Sequence, residues 1–575
     1  MNKVSSFELY LNASFYVLFF IGYQIYCTEL EKQSYAPISH ETRRILWGFE
    51  NLQGTNYPEL VSVFTIWPHF TAYSLLCLLF NLFNVPHKTE VLAFISLGFM
   101  AAFYGFTLTG VIIAMMISMA IIGKCLQGIK VLPQAVGLLF LVFIPQLLEE
   151  LPWLNFPQHV MYSDLAYPGF YAQVIRAMLI CCDCASETKP ISWRRLLSES
   201  IGFSAFTNVF MSASFIVFTD WKQWHDGEHE YVWSGPFKLV PKKRVGKATV
   251  IRTLSLLRLI LRILQVAFWA CIHKYCMCGV NIIRVLSPIV ERILQNQAEF
   301  SDLLIFTYAT ALVVMRFNVY YIVYYKISRL VGDFQQFLLS PAFSSNSDKI
   351  IGGDESVKKA WRQTNIIEKL FKIDIETECL MPGGPCWTMS AKTSSEIWRK
   401  FDIGLYNILK YYIYIPWMEV VNWAFCRGDG NRRSKLSPLL SNFSAICGAI
   451  FTFIFVLTYH NWTKGNKIWV MLSFSFWLIE RTAIQYFRDH NTSEYLEKRL
   501  SPAWEHRIRT GACALLQIAN LISFCYFVTN YATGDFVMKT ILTHPFNFFV
   551  LLCISYSAQQ LPYLLTMQIR SIFCD

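Results

Sequence analysis

Apolar runs long enough to cross a lipid bilayer recur along almost the whole chain, and they leave few folds open to it. A spanning helix needs about 20 mainly apolar residues. Backbone groups left without partners exclude irregular structure from the hydrocarbon. The runs are Tyr10–Cys27, Leu60–Phe83, Val91–Ile122, Val131–Leu148, Gly202–Phe218, Val250–Ala270 and Leu303–Leu330, then Ile403–Val421, Leu439–Tyr459, Ile468–Thr482, Ala512–Tyr531 and Pro545–Met567. Val91–Ile122 is too long for one ordinary span, and Gly105 and Gly110 are the places to divide it. The expected fold is an all-α multi-pass membrane protein, one domain over residues 1–575 with eleven to thirteen transmembrane or re-entrant helices. The first run lacks a basic region followed by a small-residue cleavage site, so it is read as retained. No internal repeat divides the chain into the two halves of many transporters.

Only 15% of the 575 residues are charged, against about 25% in soluble proteins. The net charge of +11 would suit nucleic acid, but the basic residues flank the apolar runs, where they set orientation. No nucleic-acid partner is expected. Most of the seventeen cysteines lie inside apolar runs, where cysteine acts as a small hydrophobe rather than a disulfide framework. "CCDC" (Cys181, Cys182, Cys184) and "CMC" (Cys276, Cys278) are too compact for zinc-finger spacing. Juxtamembrane palmitoylation is the alternative reading of both.

The polar intervals are Asp220–Lys247, Gly332–Lys400, Asn422–Lys435 and Phe487–Thr510. The second carries Trp361, Phe371 and Trp387, too apolar for a disordered linker. Short helices packed on the membrane face are expected there. Arg427, Arg432, Arg433 and Lys435 precede the Leu439–Tyr459 run. The positive-inside rule places that end in the cytoplasm. A helix of that length rises roughly 31 Å, which carries His460 to the luminal side. The basic segment "LEKRLSPAWEHRIR" then returns to the cytoplasmic side.

Ionisable residues inside membrane segments are functional candidates. Arg252, Arg258 and Arg262 interrupt "VIRTLSLLRLILRILQVAFW", with Arg258 and Arg262 on one helical face. They suit an amphipathic helix facing lipid headgroups or a substrate-phosphate site. Asp402 opens an aromatic-rich helix, either as a first-turn carboxylate or as a site residue. Trp398 and Tyr414 suit interface aromatics, and Cys386 suits a structural thiol. His460 ends an apolar run, where a neutral imidazole can accept a proton near neutral pH. There is no G-x-S-x-G elbow, Walker A loop or H-E-x-x-H motif.

These pieces stand in one order: "WRKFDIGLYNILKYYIYIP", then "FVLTYHN", then "WLIERTAIQYF". The order resembles the membrane-bound O-acyltransferase (MBOAT) superfamily, and most closely its Hedgehog acyltransferase branch. The resemblance is specific over 382–487, the expected catalytic core, and weaker towards the C-terminus. Residues 1–300 match mainly in hydropathy. It implies an MBOAT fold around a central acyl-CoA tunnel, in the endoplasmic reticulum or Golgi membrane. It places the family histidine on His460 and its acidic partner on Asp402. Trp398 and Arg399 fall on the pair lining the acyl-CoA passage, and Tyr414 on the tyrosine of the Y-I-P segment. Cys386 falls near a cysteine that ligates haem b in that branch, with one extra residue before the aspartate. Two departures stand out. The family's W-H-G is Y-H-N here, so Asn461 is expected to reshape the acceptor side. The Asp402-to-His460 interval of 58 residues (460 − 402) is long for the branch.

The resemblance implies transfer of a long-chain acyl group from a fatty acyl-CoA, palmitoyl-CoA above all, to the N-terminal cysteine amine of a secreted signalling protein. The alternatives are a lipid or glycerol-containing acceptor, as in the related Gup branch, or a membrane transporter. A non-catalytic scaffold is disfavoured because His460 and Asp402 are both present. The sequon "NWT" at Asn461 is expected to stay bare because it lies beside the proposed base, at the membrane and inside the site. "NTS" at Asn491 is expected to stay bare because it is cytoplasmic.

Overall fold

The computed structural model describes residues 6–31, 39–53, 67–129, 132–137, 139–140, 143, 163–186, 193–205, 231–233, 239–241, 253–254, 256–278, 281–345, 355–372, 375–376, 385–425, 438–489 and 499–574. The chain is a helical membrane protein. Among the described residues, five helical stretches are long and apolar enough to cross a bilayer: Phe106–Cys125, Leu256–Leu294, Phe300–Leu338, Ser441–Tyr459 and Pro502–Val528. Tyr531–Thr543 and Pro545–Pro562, bent by 99°, form a sixth broken span or a re-entrant loop. The break falls at Pro545, whose ring prevents the preceding residue from continuing the helix. The only strands among the described residues are two short antiparallel pairs, Tyr231–Trp233 with Leu239–Pro241 and Thr253–Leu254 with Ile375–Glu376. They depart from an all-α chain but belong to the connections, where water can serve the free edges.

The long helix Phe300–Leu338 is the axle of the fold. At about 1.5 Å per residue its 39 residues exceed the thickness of the hydrocarbon. Its start is fixed by a capping box between Glu299 and Asp302, and Arg292 grips Asp302 through Nε at 2.7 Å. The expected Leu303–Leu330 span lies inside it. The long run at 91–122 is divided as the glycine signal implied. Lys88–Tyr104 ends and Phe106–Cys125 begins at Gly105, whose φ of 83° suits glycine. Gly110 lies inside the second helix and divides nothing.

Contacts along the helices fix their directions relative to one another. The side chain of Asn442 donates to Gln485 at 3.1 Å, so Pro438–Tyr459 runs antiparallel to Lys464–Asp489. Ser473 meets Ser523 at 3.2 Å, which turns Pro502–Val528 back again. Arg507 holds Glu8 at 3.1 Å, and Tyr308 donates to Gln24 at 2.6 Å. Glu8, Pro502 and Leu338 therefore share one end of the molecule, and His460, Val528 and Phe300 the other. The first is the end from which the Arg427–Lys435 segment departs. That segment and Asn491 lie outside the described residues, as do Arg252, half of the expected span Val131–Leu148 and most of Gly202–Phe218.

Two expectations are corrected. Arg262 is not left to the headgroups: it forms an ion pair with Asp333 of the long helix, and Arg329 approaches the same carboxylate oxygen at 3.8 Å. Arg258, one turn earlier, is exposed. Burying one arginine of the face against a carboxylate is the cheaper arrangement where water is scarce. Cys181, Cys182 and Cys184 are buried in the core, which removes them from any palmitoylating enzyme. Cys278 approaches His273 Nδ1 at 3.1 Å, and Cys276 alone of the CMC pair is exposed.

Candidate active site

Asp402 caps the helix Ile403–Ile408, accepting from the Leu405 amide at 2.8 Å. It therefore stands as the N-cap, one residue before the first turn in which its sequence setting suggested a carboxylate. Its second oxygen accepts from the Tyr325 hydroxyl of the long helix. The helix continues through a π-helical turn, Leu409–Tyr414, into Ile415–Phe425. A π turn inserts an extra residue per turn and often marks functional sites. The Tyr412 hydroxyl in this turn donates to Asp183 at 2.8 Å, which ties the aspartate of "CCDC" to the π turn.

His460 follows the last residue of Pro438–Tyr459, its amide still bonded to the Val456 carbonyl at 3.0 Å. Tyr459, Trp469 and Phe527 present ring edges to the imidazole at 4.7, 5.2 and 4.9 Å. Among the described residues no side chain hydrogen-bonds to the ring. The chain then reverses at Asn461, whose φ is 61°. This is the left-handed region that glycine enters freely and asparagine tolerates best of the other residues. Asn461 thus follows a backbone path open to glycine, and it lines neither of the two cavities described below. Asn466 closes the turn by donating to the His460 carbonyl and, at 3.3 Å, to that of Asn461.

His460 and Asp402 line one chamber of about 190 Å³, walled by aromatic residues. Tyr320, Tyr321, Tyr324 and Tyr325 of the long helix line it, together with Trp469, Phe524 and Phe527. Trp398, Tyr406 and Leu409 separate it from a wider groove of about 680 Å³ and line both. Trp398 stacks on Trp469 at 5.7 Å, so an aromatic layer runs from the groove to His460. The groove carries Arg399, Lys410, Arg481 and Arg488 on its walls, together with Tyr414 and Glu480. Ser441 and Asn442, also on its wall, place its outer part near the start of the His460 helix. From Asn442 to His460 the helix rises roughly 27 Å.

The structure therefore brings together His460, Asp402, Trp398, Arg399 and Tyr414 around two adjoining cavities. Tyr414 packs tightly on Gly448, where an added Cβ would meet its ring at 3.0 Å. Cys386 lines neither cavity. Its amide donates to the Lys400 carbonyl at 2.9 Å, and Asn318 of the long helix donates to its carbonyl at 3.0 Å. Burial pushes its thiol up to about 11, with Glu396 acting in the same direction and Lys400 against it. At neutral pH Cys386 is thus a thiol, and in the folded protein it should alkylate with iodoacetamide far more slowly than in the denatured chain. Equal rates in a peptide-mapped time course would contradict that environment.

Sequence reasoning passed over Tyr325, Asn466 and Glu480. Glu480 accepts from the Ser395 amide at 3.0 Å and holds the Trp398–Arg399 helix in place. No spacing signal joins these residues to their partners. The sequon was placed in a buried setting, but Asn461, Trp462 and Thr463 are all exposed. The remaining reason for it to stay bare is its position directly at the end of a spanning helix. A glycosidase-sensitive mass shift lost in Asn461→Gln would count against that placement.

No family model matches the sequence, and no curated protein matches it significantly.

Proposed function

We propose that this protein is a membrane-bound acyltransferase of the MBOAT type, with palmitoyl-CoA as donor. The acceptor is the N-terminal cysteine amine of a secreted signalling protein, and the setting is the endoplasmic reticulum or Golgi membrane. The observation that carries the reading is the joining of two unlike cavities. A groove lined by four basic side chains leads, past Trp398, to an aromatic chamber holding His460 and Asp402. Arg399, Lys410, Arg481 and Arg488 suit the phosphates of a CoA nucleotide, to which guanidinium groups make strong charge-assisted bonds. The apolar walls suit a fatty chain, each buried methylene contributing about 0.8 kcal/mol.

In this reading the acceptor nitrogen attacks the thioester carbonyl carbon. The C–S bond breaks, and CoA leaves as a thiolate. His460 takes the proton from the nitrogen and returns it to the departing sulfur. No covalent enzyme intermediate is needed, in keeping with the missing serine elbow. Asp402 holds the N-terminus of the helix that bears Tyr406 and Leu409, and its oxygens keep lone pairs beyond those used by Leu405 and Tyr325. The basic end faces the cytoplasm, where acyl-CoA is made. The His460 end faces the lumen, where a secreted acceptor waits.

Haem b on Cys386 rests on the resemblance alone. Asn318 and Lys400 pin the cysteine backbone, and neither cavity reaches its sulfur, so no step in acyl transfer runs through it. A Soret band in the purified protein that is lost in Cys386→Ala would establish ligation, and a protein without Soret absorbance would refute it.

The test is a choice of acceptors. Full-length protein in liposomes receives labelled palmitoyl-CoA with a cysteine-initiated peptide, an alanine-initiated peptide and a lysophospholipid. Label on the cysteine-initiated peptide is expected. Label on the lysophospholipid would make the acceptor a lipid, and no transfer to any acceptor would favour a transporter.

A further inference from the structure

Two short helices, Glu355–Gln363 and Ile366–Lys372, carry chemistry that the reaction site does not use. The eighteen residues "ESVKKAWRQTNIIEKLFK" hold five basic and two acidic side chains. Their inner face is anchored. Trp361 is fully buried in a separate apolar cluster with Leu259, Phe337 and Ala342, to which Val357 and Leu370 add. Lys369 lies over the Trp361 ring at 5.2 Å. The pair is thereby fixed to the end of the long helix.

The outer face is different. Ile366 and Ile367 are adjacent and stand 54% and 65% exposed, and Lys359 and Arg362 of the preceding short helix are exposed as well. Internal packing does not account for the isoleucines, because Trp361 and Leu370 already supply the anchor. The location of the pair does. Leu338 lies at the same end as Glu8 and Arg507, which is the basic end and the end near which Ser441 and Asn442 line the groove. A spanning protein holds that end against the lipid headgroups of one leaflet, and the cytoplasmic leaflet is anionic. A basic amphipathic helix with bulky apolar residues on one face lies in such an interface.

We infer that the Glu355–Lys372 helix pair docks on anionic phospholipids of the leaflet at the basic end. Ile366 and Ile367 enter the boundary between headgroups and acyl chains. Lys359 and Arg362 meet lipid phosphates. Docked in this way, the pair braces the end of the long helix whose tyrosines wall the reaction chamber. The inference does not depend on the acyltransferase reading.

The test uses the full chain carrying an environment-sensitive fluorescent amino acid in place of Ile367. The protein is reconstituted in vesicles of phosphatidylcholine alone or with added phosphatidylserine. A blue shift confined to the phosphatidylserine vesicles is expected, reversed by raised salt. It should weaken roughly five-fold in the docked-to-undocked ratio for each of Lys359→Gln and Arg362→Gln, which remove one charge apiece. The same probe replacing Ile366 should behave alike, which guards against a local folding fault at either position. An unshifted probe in both vesicles would overturn the inference and leave the face to an acidic protein partner. Equal shifts in both vesicles would overturn its electrostatic basis.

Discussion

Replacing His460 with alanine is expected to abolish acyl transfer while the protein still folds and inserts. Among the described residues, the imidazole makes edge-on ring contacts with Tyr459, Trp469 and Phe527, and no side-chain hydrogen bond is lost with it. The fold should therefore tolerate its removal. The chemistry should not, because a positioned proton acceptor is typically worth about 10²–10⁴-fold in rate. A cavity-filling control, His460→Leu, separates the loss of the base from the loss of ring volume. Turnover in either variant within a few-fold of wild type, at matched expression, would reject the base assignment.

The second large effect is expected at Asp402, and it should differ in kind. Asp402→Ala removes the cap of the Ile403–Ile408 helix and leaves the Tyr325 hydroxyl without its acceptor. A lost cap costs about 1 kcal/mol and an unsatisfied buried hydroxyl about 1–3 kcal/mol, so stability should fall by roughly 2–4 kcal/mol along with activity. Asp402→Asn keeps an oxygen for the Leu405 amide, so it should recover most of the stability but not the turnover. Tyr325→Phe removes only the donor and should be milder on both counts. Thermal unfolding in detergent, measured beside turnover, distinguishes these outcomes. An alanine variant as stable and as active as wild type would show that the carboxylate serves neither the helix nor the chamber.

These variants also mark what the sequence could and could not reveal. The division at Gly105 was legible because a helix cannot carry a residue at positive φ. The cap at Asp402 was legible because a short polar side chain before an aromatic helical run has few other uses. Apolar length gave the membrane class, since no other structure satisfies such a backbone in hydrocarbon. The chamber was not legible. Its walls come from residues 320–325, 397–409, 459–469 and 524–527, joined only by packing. Tyr325 lies among four tyrosines on one helix, and nothing in "YYIVYY" tells which of them meets Asp402. Arg262 misled for the opposite reason. Its spacing described an amphipathic helix correctly, but spacing does not say which turn of the polar face finds a carboxylate. The cysteines of "CCDC" misled in the same way: their compact spacing suggested a surface motif, while the helix buries all three.

The central claim is that one buried chamber joins a donor at the basic end to an acceptor at the other. The most direct measurement reconstitutes the protein in sealed vesicles with a known orientation, supplying palmitoyl-CoA on one side and a cysteine-initiated peptide on the other. Transfer is predicted only when the palmitoyl-CoA is on the side of the basic end and the peptide on the side of His460, and it should vanish in His460→Ala. Equal transfer with both substrates on the same side, or transfer in the reversed arrangement, would contradict the claim.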